Sequence, residues 1–103
     1  MSNAKLQALG GGRWHLEGSL TIADVGDLAD GPVPSAPAGG AVELDLGGVH
    51  HSSSAAVALL LEWRQRIGDE GGSLRLLRCP DALVRIATLS NCAALLGLRP
   101  VAD

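Results

Sequence analysis

The chain has 103 residues, eight basic and eleven acidic, so its formal net charge is −3. This mild acidity and the scarcity of aromatic residues argue against a nucleic-acid groove, which needs clustered lysine and arginine with bases stacked on aromatic rings. No apolar run approaches the roughly 20 residues that cross a bilayer, and no secretory signal is evident, so we expect one cytoplasmic domain over residues 1–103 without membrane insertion.

Alternating apolar and polar residues predict two strands near the start of the chain, at Lys5–Leu9 and Arg13–Glu17. Gly10–Gly12 separates them, which is typical of a β-hairpin. From Ser19 to Asp30 the spacing of apolar residues changes to that of a short helix. Its apolar stripe is formed by Leu20, Ile22, Val25 and Leu28.

The middle of the chain predicts a strand–helix–strand unit. Residues 31–40 contain three prolines and predict an irregular, mobile surface loop. Ala41–Leu46 predicts a buried strand that ends in a turn at Gly47 and Gly48. A long helix over residues 54–68 follows, and Ser73–Leu77 predicts the next strand. Two strands joined through a helix are expected to pair in parallel.

The remaining residues predict a further helix from Pro80 to Ser90, and a short helix or edge segment over Ala93–Leu98. The element order is then β-β-α-β-α-β-α. We therefore expect an α/β fold, a small mixed sheet of four to five strands with helices packed mainly on one face. Cys79 and Cys92 are expected to be small core residues in a reducing compartment, and no metal site is predicted.

The first half of the long helix carries more apolar residues than one sheet can cover. At 100° per residue the sheet-facing stripe consists of Ala56, Leu59, Leu60, Trp63 and Ile67. Val57, Ala58 and Leu61 fall outside that stripe. These three residues either contact the neighbouring helix at Leu83–Ile86 or form a docking surface for another protein.

Hydroxyl and imidazole groups precede this helix at His50, His51 and Ser52–Ser54. They could suggest a nucleophile and a base, with Asp45 as the orienting acid. Adjacent side chains rarely meet in a usable geometry, so we expect no enzyme and no cofactor. Serines at a helix start are natural N-caps, and a phosphate there would be favoured by the helix dipole.

Three segments carry a resemblance to a known family: Glu43–Val49, Ser53–Leu61 and Gly71–Leu77. Together they resemble the STAS domain family, which includes the bacterial anti-sigma factor antagonists. The stretch Ala58–Trp63 is most similar to the small stand-alone STAS proteins that accompany phospholipid ABC transporters of the Mla type. Ser54 falls at the position that is phosphorylated in members of this family. Ser53 replaces the usual acidic residue and Ala56 the usual glycine, which favours Ser54 as an N-cap over Ser54 as a phosphorylation site.

The resemblance implies a protein-binding role. The first hypothesis is an accessory subunit that binds and supports the ATPase of an Mla-type phospholipid ABC complex. The alternative is an anti-sigma factor antagonist, whose partners are an anti-sigma factor and a serine kinase that phosphorylates Ser54. In either case the expected partner-binding residues are Ser53, Ser54, Val57, Ala58 and Leu61.

Overall fold

A computed structural model describes residues 3–98, which form a mixed α/β fold of four strands and three α-helices. The predicted element order is confirmed. In chain order the elements are β1 (Ala4–Gly10), β2 (Arg13–Ser19), α1 (Ile22–Ala29), β3 (Ala41–His51), α2 (Ser54–Asp69), β4 (Ser73–Leu77) and α3 (Asp81–Leu89). None of these helices has the length and apolar character that crossing a bilayer requires.

The four strands form one sheet in the order β1-β2-β3-β4. β1 and β2 pair antiparallel as the predicted hairpin. Gly10, Gly11 and Gly12 all have positive φ at this reversal, a backbone conformation that glycine adopts without steric cost. β2, β3 and β4 are parallel neighbours, so the predicted parallel pairing through a helical crossover is also confirmed.

β3 is longer than the sequence predicted. Gly47 and Gly48 were expected to form a turn, but the strand continues through them to His51. The register shifts by one residue between His15 and Glu17, so β3 holds an extra residue there. A Cβ at Gly48 would lie 2.7 Å from the Cβ of Glu17, so the glycine permits a close approach of the strands rather than a reversal of the chain.

The hydrophobic core lies between one face of the sheet and the three helices. The five predicted stripe residues of α2 are all buried, and Trp63 is only 2% exposed. Leu44 and Leu46 of β3 and Leu16 of β2 are fully buried beneath them. α2 contacts both α1 and α3, so the helices form one layer on this face.

The other face of the sheet is polar. Opposite charges lie next to each other on paired strands of this face, which stabilises a solvated sheet face. One row across the strands consists of Arg13, Glu43 and Arg75, and the next of Gln7, His15 and Asp45. The helices are therefore packed on one face, as predicted.

Two expectations about irregular segments are corrected. The proline-rich loop is anchored, because Pro34 is fully buried and the Trp14 indole Nε1 donates a 2.8 Å hydrogen bond to the Ser35 carbonyl. The segment Ala93–Leu98 forms consecutive turns and is neither a helix nor a strand. Ala93 and Leu96 are buried, so these turns close one end of the core.

Candidate functional site

The first turns of α1 and α2 lie side by side at one edge of the sheet. β2 and β3 end there, and the Leu20 amide donates a 2.9 Å hydrogen bond to the His51 carbonyl. Thr21 caps α1, and its hydroxyl and the Asp24 carboxylate form a reciprocal capping box. The sequence thus brings two helix N-termini together, each directly after a strand.

Ser53, and not Ser54, occupies the N-cap position of α2. Its side chain makes no capping hydrogen bond; the hydroxyl instead donates a 2.7 Å bond to the Leu20 carbonyl. The prediction of Ser54 as the N-cap is therefore wrong, because the chain is already helical at Ser54. Ser53 joins α2 to the β2–α1 connection, and Ser54 is exposed on the first turn.

The predicted partner-binding residues divide into exposed and buried positions. Ser54 and Ala58 are exposed, whereas Ser53 and Leu61 are half-buried. Val57 is only 3% exposed and belongs to the hydrophobic core, which leaves it almost no surface for a partner. Its burial follows from the position of α2, which contacts helices on both sides as well as the sheet, so that a wider arc of the helix is covered.

Sequence reasoning missed an exposed apolar residue at this edge. Ile22 was expected on the buried stripe of α1, yet it is 76% exposed. It is the first residue of α1, two positions beyond Leu20, which is bonded to both His51 and Ser53. The sequence contained a signal for this exposure. Ile22 directly follows the capping residue Thr21, so it stands at the N-terminal end of the helix.

We call this surface the docking face. It combines an exposed large apolar side chain with a hydroxyl and a small apolar residue, and a half-buried leucine lies at its border. Ser54, Ala58 and Leu61 share one side of α2 by their helical spacing. The docking face consists of Ile22, Ser54, Ala58 and Leu61.

The other groups considered for chemistry lie apart from one another. His50 and His51 are exposed at the end of β3, and the Asp45 carboxylate is bonded to Arg78 and to the Gly47 amide. The Arg78 hydrogen bond is the main cause that lowers the Asp45 pKa below its ordinary value. No group of three or more potential metal ligands is found within residues 3–98.

Both cysteines are free and half-buried. Each lies against the hydrophobic core, in agreement with the expected packing role. Burial raises the pKa of the Cys79 thiol to about 11, with the nearby Asp81 carboxylate adding to the effect. The Cys79 thiol is therefore protonated at neutral pH, when it is a poor nucleophile.

A comparison of the sequence with known families identifies the class of domain to which this four-stranded α/β fold belongs. The family model described as "Mlab, STAS domain" matches residues 7–98. This chain therefore belongs to the STAS domain family, whose members act through protein–protein contacts. No curated protein matches the sequence.

Proposed function

We propose that this chain is a cytoplasmic, non-enzymatic STAS subunit that binds and supports the ATPase of a bacterial phospholipid-transporting ABC complex of the Mla type. The family description supports the Mla assignment. The observation that carries the proposal is the docking face, where Ile22 is 76% exposed beside the first turns of α2. An exposed apolar side chain next to a hydroxyl at a helix start suits a partner surface.

Affinity in such a contact comes from apolar burial, at about 25 cal/mol per Å² before the costs of ordering. A few well-placed side chains usually dominate. Ile22 is the largest exposed side chain of the docking face, and Ala58 is the exposed position on α2 where a partner can approach the helix closely. Ser54 supplies a hydroxyl that can donate or accept a hydrogen bond across the interface.

The test is a binding measurement between this chain and the purified ATPase subunit of the Mla-type transporter from the same organism. Ala58→Glu places a charge in the docking face at an exposed position, so the fold should be preserved. We expect this variant to weaken binding at least about tenfold, since a buried unpaired charge is costly. Gln7→Glu adds the same charge to the opposite face of the sheet and should bind as the wild type does.

Wild-type binding that persists undiminished in Ala58→Glu would place the interface elsewhere. A second measurement, the ATPase rate with and without this chain, tests the supporting role separately from binding. An ATPase rate that does not change at saturating concentrations of this chain contradicts support while leaving binding intact.

A second candidate function is a partner-switching regulator, and the exposure of Ser54 favours it. Ser54 is the first residue of α2, where the helix dipole stabilises an added phosphate. Phosphorylation would also place negative charge beside Ala58 in the docking face. Incubation with a cognate serine kinase and ATP should then phosphorylate Ser54 and leave Ser54→Ala unmodified, as read by mass spectrometry. Absence of the modification in the wild type argues against this candidate.

A further inference from the structure

The part of the chain that builds the docking face contains no basic residue. No lysine or arginine lies between Arg13 and Arg64 in the sequence. The same interval contains seven acidic residues, Glu17, Asp24, Asp27, Asp30, Glu43, Asp45 and Glu62. α1 and the first turns of α2 are therefore built without a fixed positive side chain.

Not all of these carboxylates face a partner at the docking face. Asp24 is buried in the capping box, and Glu43, Asp45 and Glu17, which lies beside His15, belong to the polar face of the sheet. Glu62 is paired with Arg66 at 2.9 Å on α2. Asp27 and Asp30 remain, and both are exposed on α1.

Asp27 and Asp30 stand where their charge is unfavourable for the isolated chain. Asp30 is the C-cap of α1 and Asp27 lies in its last turn, at the negative end of the helix dipole. α1 has no basic residue in that turn, and neither aspartate forms an ion pair within residues 3–98. Lysine or arginine at either position would make the isolated helix more stable. A positive side chain of a partner would compensate the negative charge of these carboxylates.

Both aspartates lie further along α1 from the apolar part of the docking face. Asp27 is five positions beyond Ile22, about 8 Å along the helix axis at 1.5 Å per residue, and Asp30 is eight positions beyond it, about 12 Å. The first distance is within, and the second slightly beyond, the roughly 10 Å over which charges act at ordinary ionic strength. Ala23, Asp27 and Asp30 follow one another at helical spacing on an exposed row of α1, about 80–140° around the helix from Ile22.

We propose that the partner meets this chain with a basic surface, whose lysine or arginine side chains pair with Asp27 and Asp30 to one side of an apolar contact on Ile22. The inference rests on the proposed function and specifies the chemistry of its partner. Electrostatic pairing at the rim of an apolar contact mainly raises the association rate and selects against partners of the wrong charge.

The experiment measures the affinity and association rate of the purified Mla-type ATPase subunit for three forms of the chain: wild type, Asp27→Lys with Asp30→Lys, and the control Glu70→Lys. Glu70 is exposed at the other end of α2 and lies at the C-cap of that helix, so this control also places a lysine at a helix C-terminus. We expect the double variant to bind about tenfold or more weakly, mostly through a slower association rate. Wild-type affinity should also fall as NaCl is raised from about 50 to 500 mM.

Unfolding cannot account for the expected loss. Lysine at the C-terminal end of α1 relieves the dipole repulsion, so the double variant should be at least as stable as the wild type in thermal denaturation. Unchanged or tighter binding by the double variant, while wild type binds, would overturn the basic-partner inference and leave the proposed function intact. Failure of wild type to bind the ATPase subunit at any salt concentration would overturn both.

Discussion

The guanidinium of Arg78 and the carboxylate of Asp45 join β3 to the segment that links β4 to α3. The Arg78 Nε donates to Asp45 Oδ1 at 3.0 Å, and a second bond joins Nη2 to Oδ2. The Gly47 amide donates to the same Oδ1 at 2.8 Å. Arg78 has a φ of 51°, which is uncommon for a residue with a side chain. The two-point contact holds Arg78 in this backbone conformation at the point where α3 begins.

Loss of this pair should remove a pH-dependent part of the stability. Asp45 has a lowered pKa in the folded chain, so its contribution is present above its ordinary pKa of 3.8 and is lost as the pH falls through the lowered value. Arg78→Ala should lower the melting temperature at pH 7, and the difference from wild type should shrink at pH 3 and below. Arg85→Ala, at an exposed arginine on α3, is the control. An equal difference at both pH values would show that the Arg78–Asp45 pair is not its source.

Gly47 and Gly48 should differ in their tolerance of a side chain. A Cβ at Gly47 would lie 2.6 Å from the Arg78 guanidinium carbon, the end of a flexible side chain that can rotate away. A Cβ at Gly48 would lie 2.7 Å from the Glu17 Cβ and 3.3 Å from its Cα, which cannot move without β2. We expect Gly48→Ala to lower the free energy of unfolding in urea by about 1–3 kcal/mol, and Gly47→Ala by less.

Gly26→Ala is the reference for these two substitutions. Gly26 is inside α1 with no atom within 4 Å of an added Cβ, and alanine there should stabilise by about 0.5–1 kcal/mol. Equal destabilisation by Gly47→Ala and Gly48→Ala would contradict the assignment of a rigid contact to Gly48 and a movable contact to Gly47.

Gly47 and Gly48 are also the place where the prediction from the sequence was wrong. Alternation and helical spacing predicted every element that has a regular pattern, because those patterns report one buried face. Gly47 and Gly48 are typical of a turn, and no local signal distinguishes a turn from a strand that must approach its neighbour closely. The continuation of β3 depends on Glu17 and Gly18 of a distant segment, with which it pairs.

The prediction of side-chain burial on α2 from the sequence was limited in the same way. A single stripe was predicted from the helical period, and all of it is buried. For Val57 the sequence left contact with a neighbouring helix and a docking surface both open, because a hydrophobic pattern shows the face toward the sheet but not how closely other helices pack beside it. Ile22 was misassigned, since a residue at the beginning of a helix extends past the layer that would cover it.

Val57 should therefore contribute to folding stability. Val57→Ala removes two methyl groups from a side chain that is 3% exposed, and we expect a loss of about 2 kcal/mol in the free energy of unfolding. Ala58→Ser at the next, exposed position should change stability by less than about 0.5 kcal/mol. Urea denaturation of both variants measures the difference. A Val57→Ala variant as stable as wild type would mean that Val57 is not packed in the core.

Ser53 and Ser54 should differ in the same assay, although both are serines at the start of one helix. Ser53→Ala removes the hydroxyl that donates to the Leu20 carbonyl at 2.7 Å, so it should cost about 1 kcal/mol of unfolding free energy. Ser54→Ala changes an exposed side chain and should be neutral to within about 0.5 kcal/mol. If the two variants are reversed in stability, Ser54 is the structural serine and Ser53 the free one. The expected order instead leaves the Ser54 hydroxyl available for a partner, because the fold does not depend on it.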